Sequence, residues 1–254
     1  MENFLPTLGI FIAGIIAGAI NSVAGGGSLV SFPTLVAVGL PSVAANATNT
    51  AALWPGTLSS AITYARSIKP DRKLLFTLLI PSVVGGLIGA IVLVETPPAV
   101  FDIIVPFLIL FATLLFALRG VIDRWSKTKI EGQHVTLLGR IWGFLFQFFI
   151  ATYGGYFGAG AGILMLGSFS IMGMRDILEM NGLKTIAGTC INVIAFIYFA
   201  IRGLVEWPLA AVMAVGAILG GFAGARLAQR IDPRILRFSI IAIGLGVSVW
   251  FFIR

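Results

Sequence analysis

The sequence predicts an all-α polytopic membrane protein made of two inverted repeats, each a glycine-broken helical hairpin followed by three transmembrane helices. Composition, the placement of basic residues and an internal match predict it. The chain of 254 residues is 58% hydrophobic and only 11% charged, where a soluble domain carries about a quarter charged residues. Of its 17 Lys+Arg, 13 gather in three short stretches: Arg66, Lys69, Arg72 and Lys73; Arg119, Arg124, Lys127, Lys129 and Arg140; Arg226, Arg230, Arg234 and Arg237. Loops enriched in Lys and Arg are cytoplasmic, so these three belong on one side of a bilayer. Displacing the chain by 135 residues against itself pairs Asn46 with Asn181, Thr50 with Thr185 and Gly85-Gly86-x-x-Gly89-Ala90 with Gly220-Gly221-x-x-Gly224-Ala225. The same displacement brings the glycine loops together, pairing Gly25 with Gly160 and Gly27 with Gly162. This is duplication.

The elements follow in order. Residues 1–120 form the first repeat, with a broken hairpin at 7–40 and helices at 44–66, 73–94 and 99–119. A basic cytoplasmic linker occupies 121–140. Residues 141–254 form the second repeat, with a broken hairpin at 142–173 and helices at 179–201, 207–229 and 234–253. Uncharged runs at 74–94, 103–118, 185–201, 207–225 and 238–253 suit a hydrocarbon core about 30 Å thick. Backbone groups in lipid must pair internally, so the spans are helical. The loop at 66–73 is basic, while its mate at 201–206 holds only Arg202 and Glu206. The turn at 95–98 is acidic and its mate at 230–233 basic. Equivalent loops therefore lie on opposite sides, which inverts the repeats and gives each an odd number of crossings. Each broken segment is expected to have arms of about 12 to 17 residues, short for a span at about 1.5 Å per residue. It is either a re-entrant hairpin, the preferred reading, or a pair of short tilted spans. Both put the two termini on the outer side. Met1-Glu2-Asn3-Phe4 lacks the basic region and cleavage site of a signal peptide, so the first apolar stretch is expected to be retained.

Two kinds of glycine must be separated. Those of the Gly-Gly-x-x-Gly blocks sit inside clean spans, where small residues let helices approach. Gly25, Gly26 and Gly27, and Gly158, Gly160 and Gly162, fall where the helix should break. Non-helical backbone at membrane depth survives only when buried in protein or lining a cavity, and paired glycine interruptions point to a transport site. Helices starting near Ser28 and Ala161 would aim N–H groups at the gap, a setting that favours an anion. Asn21, Ser22 and Ser28 in the first copy, and Thr152, Tyr153 and Tyr156 in the second, would add hydrogen bonds. The expected pocket is polar, biased toward negative charge and free of a buried lysine. Leucine at Gly26 or Gly160 is expected to abolish transport. Asn46, Asn49 and Asn181 are candidate cavity lining, whereas Thr48 and Thr50 read as a capping cluster at the membrane interface. Lys184 has two readings, an anion partner or a lysine snorkelling to the cytoplasm.

Other chemistry is poorly supplied. Asp102 is the one carboxylate inside an expected span, Asp176 and Glu179 read as loop residues, and His134 lies in the basic linker. Neither a metal-ligand cluster nor a cofactor motif is present, and the single cysteine, Cys190, cannot form an intrachain disulfide. An intramembrane enzyme would need paired acids, a histidine in a span or a serine–lysine pair at depth, so the chain does not read as an enzyme. Basic residues that orient a membrane protein are no sign of nucleic acid. The expected partners are a small anion and the lipid bilayer, with H+ or Na+ as the coupling ion of a secondary carrier and a homo-oligomer compatible. A channel or a non-transporting scaffold subunit would use the same architecture.

Residues Asn21-Ser22-Val23-Ala24-Gly25-Gly26-Gly27-Ser28-Leu29, then Pro33, Gly39-Leu40-Pro41 and Ala44-Ala45-Asn46-Ala47-Thr48-Asn49 resemble the TauE/SafE family of bacterial permeases, and the resemblance covers nearly the whole chain. The second copy departs from the motif, with Gly158-Ala159-Gly160-Ala161-Gly162 in place of three consecutive glycines. The resemblance implies a permease of the bacterial inner membrane that exports sulfite, an organosulfonate or a related small anion.

Overall fold

The computed structural model describes residues 4–66, 68, 72–128, 137–172, 174, 176–227 and 233–253. Lys69, Lys129, His134 and Arg230 lie outside them. The described residues form ten helices and no strand: α1 Phe4–Val23, α2 Ser28–Ala37, α3 Ser42–Ala65, α4 Arg72–Glu95, α5 Pro98–Thr128, α6 Leu137–Tyr156, α7 Ala161–Ile171, α8 Ile177–Ile201, α9 Trp207–Leu227 and α10 Pro233–Ile253. Spans Leu5–Val23, Lys73–Glu95, Pro98–Leu118, Ile177–Ile201 and Trp207–Leu227 are each long and apolar enough to cross a bilayer. The chain is a multi-pass membrane protein. Helix α3 is as long as these but more polar, and it buries Asn46, Thr48, Asn49 and Ser60 against its neighbours rather than facing lipid.

The broken segments differ from the expected pair of similar arms. The first arms, α1 and α6, have 20 residues each, and the second arms, α2 and α7, have 10 and 11. At about 1.5 Å per residue the first reaches about 30 Å and the second about half that. The break comes late because Asn21-Ser22-Val23 stays helical, and only Gly25 turns the chain. The linker is shorter than 121–140, because α5 continues to Thr128 and α6 already begins at Leu137.

Four helix ends meet at one end of the molecule. Arg202, capping α8, pairs with Glu95 at the end of α4 at 3.1 Å. The Glu206 N–H, just before α9, donates to Thr48 Oγ1 near the start of α3 at 3.0 Å. Helices α3 and α9 therefore run one way, and α4 and α8 the other. Helix α1 runs with α9, since Gly14 lies against Met213, Gly18 against Ala217 and Gly221, and Gly224 against Ala19. By the same reading α6 runs with α4: Gly85 meets Phe148, and Gly89 meets Thr152.

Two three-helix bundles result, each borrowing a helix from the other half. One joins α1, α3 and α9, and the other α6, α8 and α4. They meet where α3 packs on α8, while α5 and α10 pair beside them and cover α7 and α2. A methyl on Gly220 would stand 1.9 Å from the Ile15 carbonyl oxygen, and one on Gly89 2.0 Å from that of Thr152. The Gly-Gly-x-x-Gly blocks are thus helix-packing surfaces. An aromatic group holds the short helices: Phe32 of α2 packs edge-on to Phe157 at 5.3 Å and stacks on Phe251 at 5.8 Å.

Candidate functional site

The first arms of both breaks end the same way. At the end of α1 the N–H groups of Ala24 and Gly25 donate to the Ile20 carbonyl at 2.7 and 3.0 Å. At the end of α6 those of Phe157 and Gly158 donate to Tyr153 at 2.9 and 3.1 Å. Gly25, Gly158 and Gly160 all have φ +79°, a left-handed conformation that costs a side-chain-bearing residue about 1–2 kcal/mol. Helix α2 then opens from Gly27, whose carbonyl accepts from Val30 and Ser31. Helix α7 opens from Gly160, whose carbonyl accepts from Ile163 and Leu164. Since Gly25 and Gly158 each donate to the carbonyl five residues back, the equivalent of Gly25 is Gly158, not Gly160. The breaks correspond at a displacement of 133, and the longer α7 and its longer connection to α8 restore 135 by the start of α8.

The two breaks face one cavity of about 60 Å³ between α3 and α8. Most of its lining comes in equivalent pairs. Asn21 and Gly154, Gly25 and Gly158, and Ser28 and Ala161 come from the breaks. Asn49 and Lys184, Thr50 and Thr185, Leu53 and Gly188, and Thr57 and Asn192 come from α3 and α8. Phe157, Met165 and Ile191 also line the cavity, without counterparts from the first copy, and so does Gly162. A methyl on it would stand 2.6 Å from Gly25 Cα and 3.2 Å from Lys184 Cδ, so its bareness lets the two breaks touch and the lysine stem pass.

Hydrogen bonding differs between the halves. Asn49, 1% exposed, donates from Nδ2 to Ser28 Oγ at 3.1 Å and accepts from Ser31 Oγ at Oδ1. The Gly27 N–H donates to Asn21 Oδ1 at 2.8 Å. Together these tie the start of α2 to α1 and α3. In the second copy the equivalents of Asn49, Ser28, Ser31 and Asn21 are Lys184, Ala161, Leu164 and Gly154, so that tie is absent. Lys184 is 3% exposed. Its ammonium donates to the Ser22 carbonyl at 3.0 Å and to Asn181 Oδ1 at 2.8 Å. A cation thus sits at the carbonyl end of α1, where the helix dipole favours it.

The candidate residues of the sequence divide accordingly. Asn21, Gly25, Ser28, Asn49, Gly158, Gly162 and Lys184 line the cavity. Ser22 contributes its carbonyl, through Lys184 and Tyr64, while its hydroxyl bonds back to Ala19. Gly26 faces the Phe116 ring and Gly27 the Ala17 carbonyl, whereas Gly160 faces Ala112 and Leu115. Leucine at Gly26 or Gly160 would therefore disturb packing on α5 rather than fill the site. Asn46 donates to the Tyr156 carbonyl at 2.9 Å, its Oδ1 buried without a hydrogen-bond partner, and Asn181 serves Lys184. Neither lines the cavity. Thr152 bonds back along its helix, Tyr153 to the Ala159 carbonyl, and the Tyr156 ring rests on Phe101.

Three expectations change. The pocket does contain a buried lysine, because Lys184, on α8 two turns inside its first residue, is 3% exposed and turns its ammonium inward to Ser22 and Asn181. Thr48 and Thr50 do not cap α3: Thr48 receives the Glu206 N–H, and Thr50 lines the cavity. Asp176 is not a loop residue but the cap of α8, accepting from Leu178 and Glu179. Asp102 is exposed on α5, away from the cavity. Gly188, Asn192, Leu53 and Thr57 were missed, although Asn49, Leu53 and Thr57, like Lys184, Gly188 and Asn192, recur every four residues and so share a helix face. Among the described residues no cluster of His, Cys, Asp or Glu could hold a metal.

The sequence profile of the family described as "Sulfite exporter TauE/SafE" matches residues 10–251. The chain belongs to the TauE/SafE family. It is 29% identical over 248 residues to "Probable membrane transporter protein ORF9" of Sinorhizobium sp, covering 94% of this chain and 90% of that one. It is 28% identical over 233 residues to a "Probable membrane transporter protein" of Haemophilus influenzae, covering 91% and 89%. With "Probable membrane transporter protein YfcA" of Escherichia coli K12 it shares 26% identity over 242 residues, 94% and 87% of the two chains. No solved structure matches. This TauE/SafE chain is a membrane transporter.

Proposed function

We propose that the protein is a secondary carrier of a small anion, with sulfite, a sulfonate or a related sulfur oxyanion as its substrate class. The cavity between α3 and α8 is its binding site, and the bacterial inner membrane its location. The observation that carries the reading is Lys184: a buried ammonium on the wall of a cavity where the glycine breaks of both copies converge. A charged side chain at depth is expensive, so an intramembrane lysine calls for a functional reason. Asn21 and Asn192 add amides to the wall.

The swapped bundles suggest the transport step. If α1, α3 and α9 rock against α4, α6 and α8 about the α3–α8 contact, the cavity opens to one side and then to the other. The opposed helix directions and the loop charges support an inverted repeat with both termini outside.

The test is anion flux into proteoliposomes, with currents read on a solid-supported membrane for sulfite, sulfate, thiosulfate and sulfoacetate. Wild type should move at least one of them. Lys184→Gln should cut that flux at least tenfold, and Lys184→Arg should retain part of it. Counterflow of labelled anion against unlabelled anion marks a carrier, and its absence a pore. Full flux in Lys184→Gln would remove the proposed site.

A further inference from the structure

The threonine hydroxyls of the cavity point the wrong way for a fully ionised guest. Thr50 donates to the Asn46 carbonyl at 3.0 Å, Thr185 to Gly182 at 2.9 Å and Thr57 to Trp54 at 2.9 Å. A carbonyl cannot donate, so in each contact the hydroxyl proton is spent on its own helix. What these threonines offer the cavity is lone pairs. Three acceptors on the wall would repel a bare oxyanion, yet they suit a guest that carries an O–H of its own.

Charge leads to the same class. Lys184 is the one charged side chain among the lining residues. Each break joins the carbonyl end of one helix to the N–H end of the next, so the opposed half-charges of the helix termini largely cancel. A cavity of net charge about +1 neutralises one negative charge, and a second would be buried unpaired. Size adds a limit. A water needs about 10–15 Å³ of such space, so a cavity of about 60 Å³ admits about four to six heavy atoms.

We infer that the site selects the hydrogen-bearing monoanion of a compact oxyacid: the guest carries its own proton, met by the threonine lone pairs, while Lys184 meets its single charge. This rests on the anion-carrier reading above and specifies its substrate. Transport of such a guest moves one proton with each anion without a carboxylate at depth. The protein's own titratable groups near Lys184 are few. Among the described residues α1, α2 and α7 carry none. Helix α3 carries Tyr64, whose hydroxyl bonds to Ser22, and α6 carries Tyr153, bonded to Ala159, and Tyr156, packed on Phe101. Helix α4 carries Lys73 and Glu95 toward its two ends, and α8 itself carries Glu179, Cys190 and Tyr198.

The test uses the full chain in proteoliposomes with an internal pH dye, with sulfite, sulfate and nitrate as probes between pH 6 and about 9. The sulfite dianion takes up one proton near neutrality, sulfate stays a dianion across this range, and nitrate is a monoanion that binds no proton there. Sulfite flux should fall about tenfold per pH unit on the alkaline side, with the lumen acidifying as sulfite enters. Sulfate should compete at least tenfold more weakly than sulfite at the acidic end, and nitrate flux should not vary with pH. Thr185→Val, which keeps shape but removes the lone pairs, should lower the preference for sulfite over nitrate. If no anion moves, the carrier reading fails, and this inference with it. If sulfite crosses equally well when fully ionised, if sulfate competes as well as sulfite, or if nitrate shows the same pH profile, the carrier reading stands and this inference falls.

Discussion

Gly188 separates the site from the scaffold. It lies within α8, lines the cavity, and a methyl built on it would touch nothing within 4 Å. Its backbone is helical, so alanine or leucine there should gain about 0.8–1 kcal/mol of helix propensity. At about 10–15 Å³ per water-sized group, alanine removes about a fifth of the roughly 60 Å³ cavity. Leucine, with four carbons, removes about 40–60 Å³ and fills it. Leucine also stands at the equivalent position of the other copy, Leu53. Gly188→Ala should therefore fold as wild type and transport with reduced affinity. Gly188→Leu should melt at or above the wild-type temperature and transport at less than a tenth of its rate. The assay pairs thermal melting in detergent with initial flux into liposomes at matched protein content. A Gly188→Leu protein that transports at full rate would show that the guest does not pass between α3 and α8. One that fails to fold would show that Gly188 is a packing glycine.

Gly25→Ala and Gly39→Ala form a pair. Both positions have positive φ, but the space around Gly39 is open while a methyl on Gly25 would lie 2.5 Å from Gly162 Cα. Gly39→Ala should cost about 1–2 kcal/mol of backbone strain. Gly25→Ala should cost about 1–3 kcal/mol more from overpacking, read as the difference between their denaturation midpoints. Removing the Glu95–Arg202 pair by Arg202→Ala should change stability by less than about 1 kcal/mol, since both side chains are largely exposed. A larger loss would mean that the pair holds the bundles together. Amide hydrogen exchange should be faster at the start of α7 than at the start of α2, because Asn49 and Asn21 tie down only the latter. Equal protection would show that apolar packing alone fixes both.

The helices were legible because hydrophobic length and loop charge are one-dimensional signals. So were the glycine breaks, since nothing else explains Gly25 or Gly158 in an apolar run. The register of the breaks was not. Identity matching set Gly25 on Gly160, whereas the feature that matters is which glycine ends the first arm by donating to the carbonyl five residues back, and that depends on where α1 and α6 stop. Asn46 and Asn181 misled for a related reason. They repeat at the same displacement, but one turn along a helix separates a residue that faces the cavity from one that caps a neighbouring helix. Lys184 was visible as a residue, yet its depth became readable only once Asp176 was seen to start α8.

Duplication explains why the breaks meet, but the differences between the copies explain what they do. The first copy carries its polar groups on the scaffold: Asn49 and Asn21 are consumed in holding α2. At the position of Asn49 the second copy places Lys184, which holds the first copy's Ser22 carbonyl from across the interface. On the proposed carrier reading, an anion in the cavity would compete with that carbonyl for the same ammonium. Occupancy would then weaken one of the bonds joining α8 to the end of α1, and a ligand moves an equilibrium only through such a difference between states. The lysine proposed to draw the anion in is also a fastener between the two bundles, so binding and loosening would share a single side chain.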